Sequence, residues 1–243
     1  MSKVDIDIKA LLEAGVHFGH NTSRWHPKMA PFIHSKRGKG HVIDLTTTVT
    51  ALEEALPVIS GAVAAGKKVL FVGTKRQCKD IVRTAAEKTD MPYVCERWMG
   101  GMLTNQKTIG VQIKKLKDLE AKMESGELAN RYNKLEVQRF QEQIERMNHV
   151  YLGIKEMPQK PGAVFITDMI VDSTAVKEAR KLGVPVIAIA DTNVNPEEVD
   201  YPIPANDDAI KSIQAITDLV VKAVELGKTK QKVTKEEDPK KGE

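Results

Sequence analysis

Hydrophobic residues follow two kinds of pattern along this chain. Uninterrupted apolar runs are typical of parallel strands that are covered on both faces, whereas apolar residues at three- and four-residue steps predict amphipathic helices. The predicted strands are 41–45 (HVIDL), 68–72 (KVLFV), 93–95, 163–167 (AVFIT), 185–190 (PVIAIA) and 201–203. The predicted helices are 5–14, 46–65, 75–88, 173–182 and 207–226. This alternation predicts an α/β fold, a doubly wound parallel sheet of the Rossmann or flavodoxin-like kind.

Residues 105–155 interrupt the alternation, because they contain no strand-like run. Two amphipathic series, separated by a turn at Ser125–Gly126, predict an antiparallel helical hairpin that is inserted between two strands and protrudes from the sheet domain. We therefore divide the chain into an α/β domain (1–104 and 156–227), the hairpin (105–155) and a tail (228–243). The tail is rich in Lys and Glu and is predicted to be disordered. Residues 15–40, rich in Gly, Pro, His, Arg and Lys, are predicted to form an ordered but irregular loop.

Composition narrows the class of protein without identifying a partner. The 243 residues are 41% hydrophobic, and 37 Lys and Arg against 33 Asp and Glu leave a net charge of +4. The two cysteines, Cys78 and Cys95, have no metal-binding spacing, so we expect reduced, buried thiols. No signal peptide and no run of the roughly 20 apolar residues that a membrane span needs is visible. We expect a soluble cytoplasmic protein without membrane contact.

The strand ends lack the glycine loops of a nucleotide enzyme. Residues 73–77 (GTKRQ) match neither GxxxxGK[ST] nor GxGxxG, and no GxSxG motif of a serine hydrolase occurs. We therefore expect no enzymatic activity, no cofactor and no small-molecule substrate.

Acidic residues instead follow the predicted strands. Asp168 and Asp191 each end a strand, and Asp207 and Asp208 precede the last helix. One interpretation is structural, with Asn206 or Asp207 capping that helix and Asp191 holding a turn. The alternative is a divalent cation or a docking partner at Asp191, Asp207 and Asp208, joined by His17 or His20. The sequence leaves both open.

Basic residues are concentrated in three segments. Residues 20–43 contain no Asp or Glu, and two aromatic residues, Trp25 and Phe32, lie among the cations. Cations can neutralise phosphates and aromatic rings can stack on bases, although the same rings could anchor the loop and the lysines could be solvated. The candidate RNA-binding residues are Arg24, Trp25, Lys28, Lys36, Arg37 and Lys39 in the first segment, Lys75 and Arg76 in the second, and Arg97, Trp98, Thr104, Asn105, Lys107, Lys114 and Lys115 in the third. We expect contacts to RNA backbone and shape.

A set of long motifs resembles the bacterial small-subunit ribosomal protein S2 family. The motifs are LLEAGVHFGH at 11–20, WHPKM at 25–29, FVGTKRQ at 71–77, RWMGGMLTN at 97–105, PGAVFITD at 161–168 with Glu178, LGVPVIAIADTN at 182–193, and NDDAI at 206–210. The resemblance covers about residues 4–227. It implies a doubly wound sheet with a protruding hairpin and a structural role in the small ribosomal subunit.

The resemblance also implies partners. Family members lie near the junction of head and body of the small subunit. There they contact small-subunit (16S) ribosomal RNA and neighbouring ribosomal proteins, and help to dock ribosomal protein S1. By motif position, the implied RNA-facing residues are Arg24, Trp25, Lys28, Lys36, Arg37, Arg97, Trp98, Thr104, Asn105 and Lys107.

Overall fold

The chain folds around two β-sheets with helices packed on them. The computed structural model describes residues 4–158 and 160–237, and side chains as far as Lys232. The strands are β1 (Phe18–Asn21), β2 (Ile33–Arg37), β3 (Gly40–Ile43), β4 (Val69–Val72), β5 (Tyr93–Val94), β6 (Ala163–Ile166), β7 (Val186–Ala190) and β8 (Tyr201–Pro204). The α-helices are α1 (Ile8–Glu13), α2 (Leu45–Ala64), α3 (Lys79–Thr89), α4 (Gln106–Glu124), α5 (Glu127–Arg131), α6 (Lys134–Tyr151), α7 (Ser173–Lys181) and α8 (Ile210–Glu237).

The larger sheet confirms the predicted fold class. Its five strands are parallel and follow the order β5-β4-β6-β7-β8, which is the flavodoxin-like order 2-1-3-4-5. Every residue of β4, β6 and β7 is buried, which explains the uninterrupted apolar runs. Phe71 and Phe165 are register partners whose rings meet edge-on, with centroids 5.8 Å apart. Burying one such side chain contributes roughly 1.5–3 kcal/mol.

Two hydrophobic cores lie on the two faces of this sheet. Helices α2, α3 and α8 cover one face, with residues such as Leu52, Val82 and Val220 fully buried. The other face is covered by helix α7 and by segments outside the strands that contain Met29 and Leu103. Both of these residues are buried in the same hydrophobic core as Ile166. Because both faces are covered, a ligand could reach the parallel sheet itself only at its edges.

Residues 105–155 are mainly helical, as predicted, with one addition. The short helix α5 lies between the long helices α4 and α6 and buries Leu128. Asn133 and Glu136 form a reciprocal capping box at the start of α6. Between α4 and the end of the helical segment, the Glu120 carboxylate accepts hydrogen bonds from Lys155 Nζ, at 2.7 and 2.8 Å, and from Asn148 Nδ2, at 2.7 Å.

Three local predictions were wrong. Residues 15–40 are not an irregular loop, because β1 and β2 lie within them and both pair antiparallel with β3. Both pairings contain register shifts, which disturb the period-two pattern that would have indicated strands. Helix α3 begins at Lys79 rather than at residue 75. Helix α8 continues to Glu237, so the prediction of disorder fails for residues 228–237, since good helix formers extend an already nucleated helix. Residues 238–243 lie outside the described part.

Candidate RNA interface and acidic sheet edge

The small antiparallel sheet is docked on the carboxyl edge of the parallel sheet. The backbone N–H of His20 donates to Asp191 Oδ1 (3.2 Å) and to Thr192 Oγ1 (2.9 Å), and that of His26 donates to the Thr192 carbonyl (2.7 Å). A Cβ at Gly19 would lie 2.7 Å from Thr192 Cγ2, so this close approach requires glycine. Doubly wound folds bind ligands at this edge, and here the chain itself covers part of it.

Lys75 lies among the carboxylates that follow the parallel strands. Its Nζ is 2.8 Å from Asp168 Oδ2, 3.1 Å from Asp207 Oδ1 and 2.8 Å from Asp208 Oδ1. Asp168 and Asp207 are buried, whereas Asp208 is exposed. An ammonium group therefore supplies the positive charge that this acidic edge requires.

The pKa values of this cluster reflect burial and mutual charge. Burial, together with the charges of Asp168 and Asp191, raises the pKa of Asp207 to about 7. Burial alone would lower the pKa of Lys75, but its carboxylate partners outweigh burial and raise that pKa above its usual value. Lys75 thus stays charged and points inward, which argues against its predicted contact with an RNA phosphate.

His20 is the histidine that joins the acidic edge. Its Nδ1 is 3.0 Å from Asp191 Oδ2 and its Nε2 is 3.3 Å from Asp208 Oδ2. The hydrogen bond to Asp191 is the largest cause that raises the pKa of His20 to about 8. His20, Asp191 and Asp207 place potential ligand atoms within 4.8 Å of one another, and His17 is outside this group. A divalent cation at these atoms would be repelled by the ammonium of Lys75, which is 3.1 Å from Asp207 Oδ1. The hypothesis of a bound cation stays a prediction.

The structural interpretation of the acidic edge is confirmed in part. Asn206 Oδ1 accepts the backbone N–H groups of Asp208 (2.8 Å) and Ala209 (2.9 Å), just before α8 begins. Asp191 Oδ2 accepts the backbone N–H of Asp207 at 3.3 Å. These contacts satisfy donors at the start of a helix and hold the β7 end against it.

The first basic segment forms the outer surface of the antiparallel sheet. Lys36 and Arg37 end β2, Lys39 follows in the turn to β3, and Arg24 lies in the β1–β2 connection; all four are exposed. Within the part of the chain that the structure describes, none of the four forms a salt bridge. Lys28 differs, since it pairs with Glu197. This surface therefore carries uncompensated positive charge.

The two aromatic residues of this segment have different surroundings. Phe32 is partly buried against the hydrophobic core and acts as an anchor. Trp25 remains 39% exposed, and its ring centroid lies 5.3 Å from that of His41. Trp25 can therefore still offer ring surface to a base or a sugar.

In the third basic segment, residues 98–104 are gathered around one carboxylate of helix α7. Glu178 Oε1 accepts from Trp98 Nε1 (3.2 Å) and from the backbone N–H of Gly101 (2.6 Å). Glu178 Oε2 accepts the backbone N–H groups of Leu103 (3.0 Å) and Thr104 (3.1 Å) and the Thr104 hydroxyl (3.1 Å). Trp98 and Thr104, predicted as RNA contacts, thus also have structural roles.

The remaining candidates lie on exposed surface. Arg97 precedes the loop held by Glu178, and Arg76 lies before α3. Asn105 is the residue before α4, where its Oδ1 accepts the Thr108 hydroxyl at 3.0 Å. Lys107, Lys114 and Lys115 are exposed along α4. Of these, the cations make no salt bridge to any described residue.

Sequence reasoning missed the organising roles of Lys75 and Glu178. One signal for Glu178 was available, because an acid occupies a position on the same helical face as Ala175 and Ala179, both buried. Neither the partners of Glu178 nor those of Lys75 could be read from local pattern. Both cysteines are free and buried, as predicted. None of the described helices is sufficiently long and apolar to cross a bilayer.

Comparisons with known proteins agree with the motifs. A family model described as "Ribosomal protein S2" matches residues 11–227. The chain is 46% identical over 223 residues to the small ribosomal subunit protein uS2 of Coprothermobacter proteolyticus, covering 92% of this chain and 83% of that protein. It is likewise 46% identical over 223 residues to the uS2 protein of Brucella suis, covering 92% of this chain and 86% of that protein.

Proposed function

The chain belongs to the ribosomal protein S2 family, and we propose that it binds small-subunit (16S) ribosomal RNA through the basic surface of its antiparallel sheet. As a member of this family it is a structural component of the small ribosomal subunit and not an enzyme. The proposed sites of RNA contact are Lys36, Arg37 and Lys39 on the sheet and its turn, and Arg24 and Trp25 in the β1–β2 connection. Beyond the sheet they are Arg76, Arg97, Asn105, Lys107, Lys114 and Lys115. Its proposed location is ribosome-bound in the cytoplasm.

The uncompensated charge of the antiparallel sheet carries this proposal. Lys36, Arg37 and Lys39 are exposed and make no salt bridge to a described residue, although the chain contains 33 acidic residues. Cations on a strand and its turn that form no internal salt bridge can bind phosphates without first leaving a partner. Release of counterions from the RNA would then supply a salt-dependent share of the binding free energy.

Contacts to neighbouring ribosomal proteins belong to the same proposal. Helix α1 exposes Ile8 and Leu12, and Phe18 nearby in the sequence is also half-exposed. Ile8 and Leu12 are four residues apart and share one face of α1. Contiguous exposed apolar surface of this kind marks protein interaction sites. Docking of ribosomal protein S1 is proposed from the family resemblance.

Charge reversal tests the RNA surface. The double variant Lys36→Glu and Arg37→Glu is expected to weaken rebinding to small subunits that lack this protein by tenfold or more. It should also lower the slope of log affinity against log salt by about 2, roughly one for each lost phosphate contact. Binding would be measured by titration of fluorescently labelled protein at several salt concentrations.

The matched control reverses two exposed lysines of α8, Lys211 and Lys222, which changes the net charge by the same amount. If both double variants lose the same affinity, only net charge matters and the proposed surface is wrong. If neither loses affinity, the RNA contact lies elsewhere.

A further inference from the structure

Glu178 is a buried carboxylate whose negative charge is stabilised by hydrogen bonds from residues 98–104, the loop that precedes α4. It is 8% exposed, and no described cation forms a salt bridge with it. Its five hydrogen bonds all come from residues 98–104, and three of the donors are backbone N–H groups. Hydrogen bonds to a charged acceptor are about twice as strong as neutral ones.

The loop and the carboxylate each require the other. Gly101 has φ +89°, a conformation that L side chains rarely adopt, and its N–H makes the 2.6 Å contact with Glu178. If the loop moved away, Glu178 would lose all five of its hydrogen bonds from residues 98–104. If Glu178 were lost, the N–H groups of Leu103 and Thr104 would lose their acceptor. The carboxylate of Glu178 and the N–H groups of the loop therefore both favour the same loop conformation.

Two candidate RNA contacts are attached directly to this loop. Arg97 is bonded to Trp98, whose indole Nε1 donates to Glu178. At the other end, Thr104 is followed by Asn105 and by α4, which carries Lys107 in its first turn. Both cations are exposed, and neither forms a salt bridge with a described residue.

We propose that Glu178 is a positioning residue for RNA binding: by holding residues 98–104 it presents Arg97 and Lys107 to the ribosomal RNA in one fixed arrangement. This inference rests on the proposed function, because it assumes that these cations meet RNA. Glu178 itself makes no contact with the nucleic acid. Its effect is preorganisation, since a loop that is already ordered loses less conformational entropy on binding.

A double-mutant cycle separates positioning from general stability. Arg97→Ala is made in the wild-type chain and in Glu178→Gln, and the full-length proteins are titrated against small subunits that lack this protein. We expect Arg97→Ala to weaken binding by about fivefold in the wild type and by less than twofold in Glu178→Gln. Lys36→Ala, on the antiparallel sheet, should cost the same in both backgrounds, because Glu178 does not hold that surface.

Glu54→Gln supplies the charge-matched control, because Glu54 is exposed on α2 and remote in sequence from the loop. The cost of Arg97→Ala should be undiminished in Glu54→Gln. Amide hydrogen exchange provides a readout without RNA: Leu103 and Thr104 should exchange faster in Glu178→Gln, while amides of β4 keep their protection. If Glu178→Gln does not fold, the same cycle is run with Trp98→Phe, which removes one donor to Glu178 and should reduce the cost of Arg97→Ala in the same direction.

The outcomes distinguish this inference from the function on which it rests. An equal cost of Arg97→Ala in both backgrounds overturns the positioning role. A cost at Lys36 together with no cost at Arg97 in the wild type also overturns it, while the RNA surface on the antiparallel sheet stands. Wild-type binding without salt dependence overturns the proposed function itself.

Discussion

Replacing Lys75 by methionine should destabilise the protein far more than loss of an ordinary surface ion pair. Lys75 Nζ is within 3.1 Å of carboxylate oxygens of Asp168, Asp207 and Asp208, and the side chains of the first two are only 4% and 2% exposed. Methionine fills similar volume but leaves these carboxylates without their cation. Removing one partner of a buried ion pair costs about 3–5 kcal/mol. We expect a loss of that size at pH 9, measured as the free energy of unfolding in urea.

The cost should depend on pH, with a sign that follows from Asp207. Its pKa is raised to about 7 in the folded protein, so the fold holds a proton there that the unfolded chain has lost above about pH 4. Stability from this group is therefore greatest at low pH and declines as pH rises towards 7. Without Lys75, which lowers that pKa, the decline extends to higher pH. The deficit of the variant should then shrink by about 1.4 kcal/mol per pH unit as pH falls from the variant's own pKa to 7.

Lys28→Met is the matched control for this measurement. Lys28 pairs with Glu197, but the two side chains are 47% and 66% exposed, so the pair should contribute about 1 kcal/mol at most. Asp207→Asn in the Lys75→Met background should restore part of the lost stability, because it removes one of the uncompensated charges. A Lys75→Met variant that is no less stable than Lys28→Met, or whose deficit is unchanged between pH 9 and 7, would refute the reasoning.

Three further predictions concern stability and reactivity. The pKa of His20 is raised from 6.5 to about 8, so protonated His20 should add about 2 kcal/mol to the free energy of unfolding. This contribution should be complete below pH 6.5 and lost as pH rises through 8. His20→Gln should remove this pH dependence of stability, measured in urea titrations. Gly153→Ala would place Cβ 2.2 Å from the Tyr93 carbonyl oxygen and should lower the free energy of unfolding by at least about 1–3 kcal/mol. Gly110→Ala has open space around the new Cβ and should raise it by about 0.4–1 kcal/mol. Equal melting temperatures of the two variants would contradict this prediction. Cys78 is buried, and burial raises its thiol pKa to about 11, so it should react with a thiol reagent only after denaturation.

The parallel sheet and the hairpin were predictable because their signals are local. Strands β4, β6 and β7 are apolar along their whole length since both of their faces are covered. In α4, Ile109 and Leu116 recur at helical spacing and are the buried residues of that helix. The basic residues of 24–39 were also visible locally, because that segment contains no acid.

The antiparallel sheet and the two organising side chains were not predictable in this way. Strand β3 was indicated by its apolar residues, but the exposed residues of β2 show no clear alternation. The contact of Lys75 with Asp207 joins residues 132 positions apart, and that of Glu178 with Gly101 joins residues 77 apart. As a result, Lys75 was predicted to contact an RNA phosphate, although its ammonium group forms salt bridges with Asp168, Asp207 and Asp208.

The amino-acid sequence by itself determined the strands and helices of the parallel-sheet fold, the helical insertion and the location of excess positive charge, since each depends on neighbours along the chain. Only the tertiary structure decided which cations remain available to a partner and which form salt bridges with buried carboxylates. The physical reason is that burial and long-range pairing change the free energy of a charge far more than its sequence neighbours do. Lys36 and Lys75 look alike in the sequence, and the fold exposes one and encloses the other.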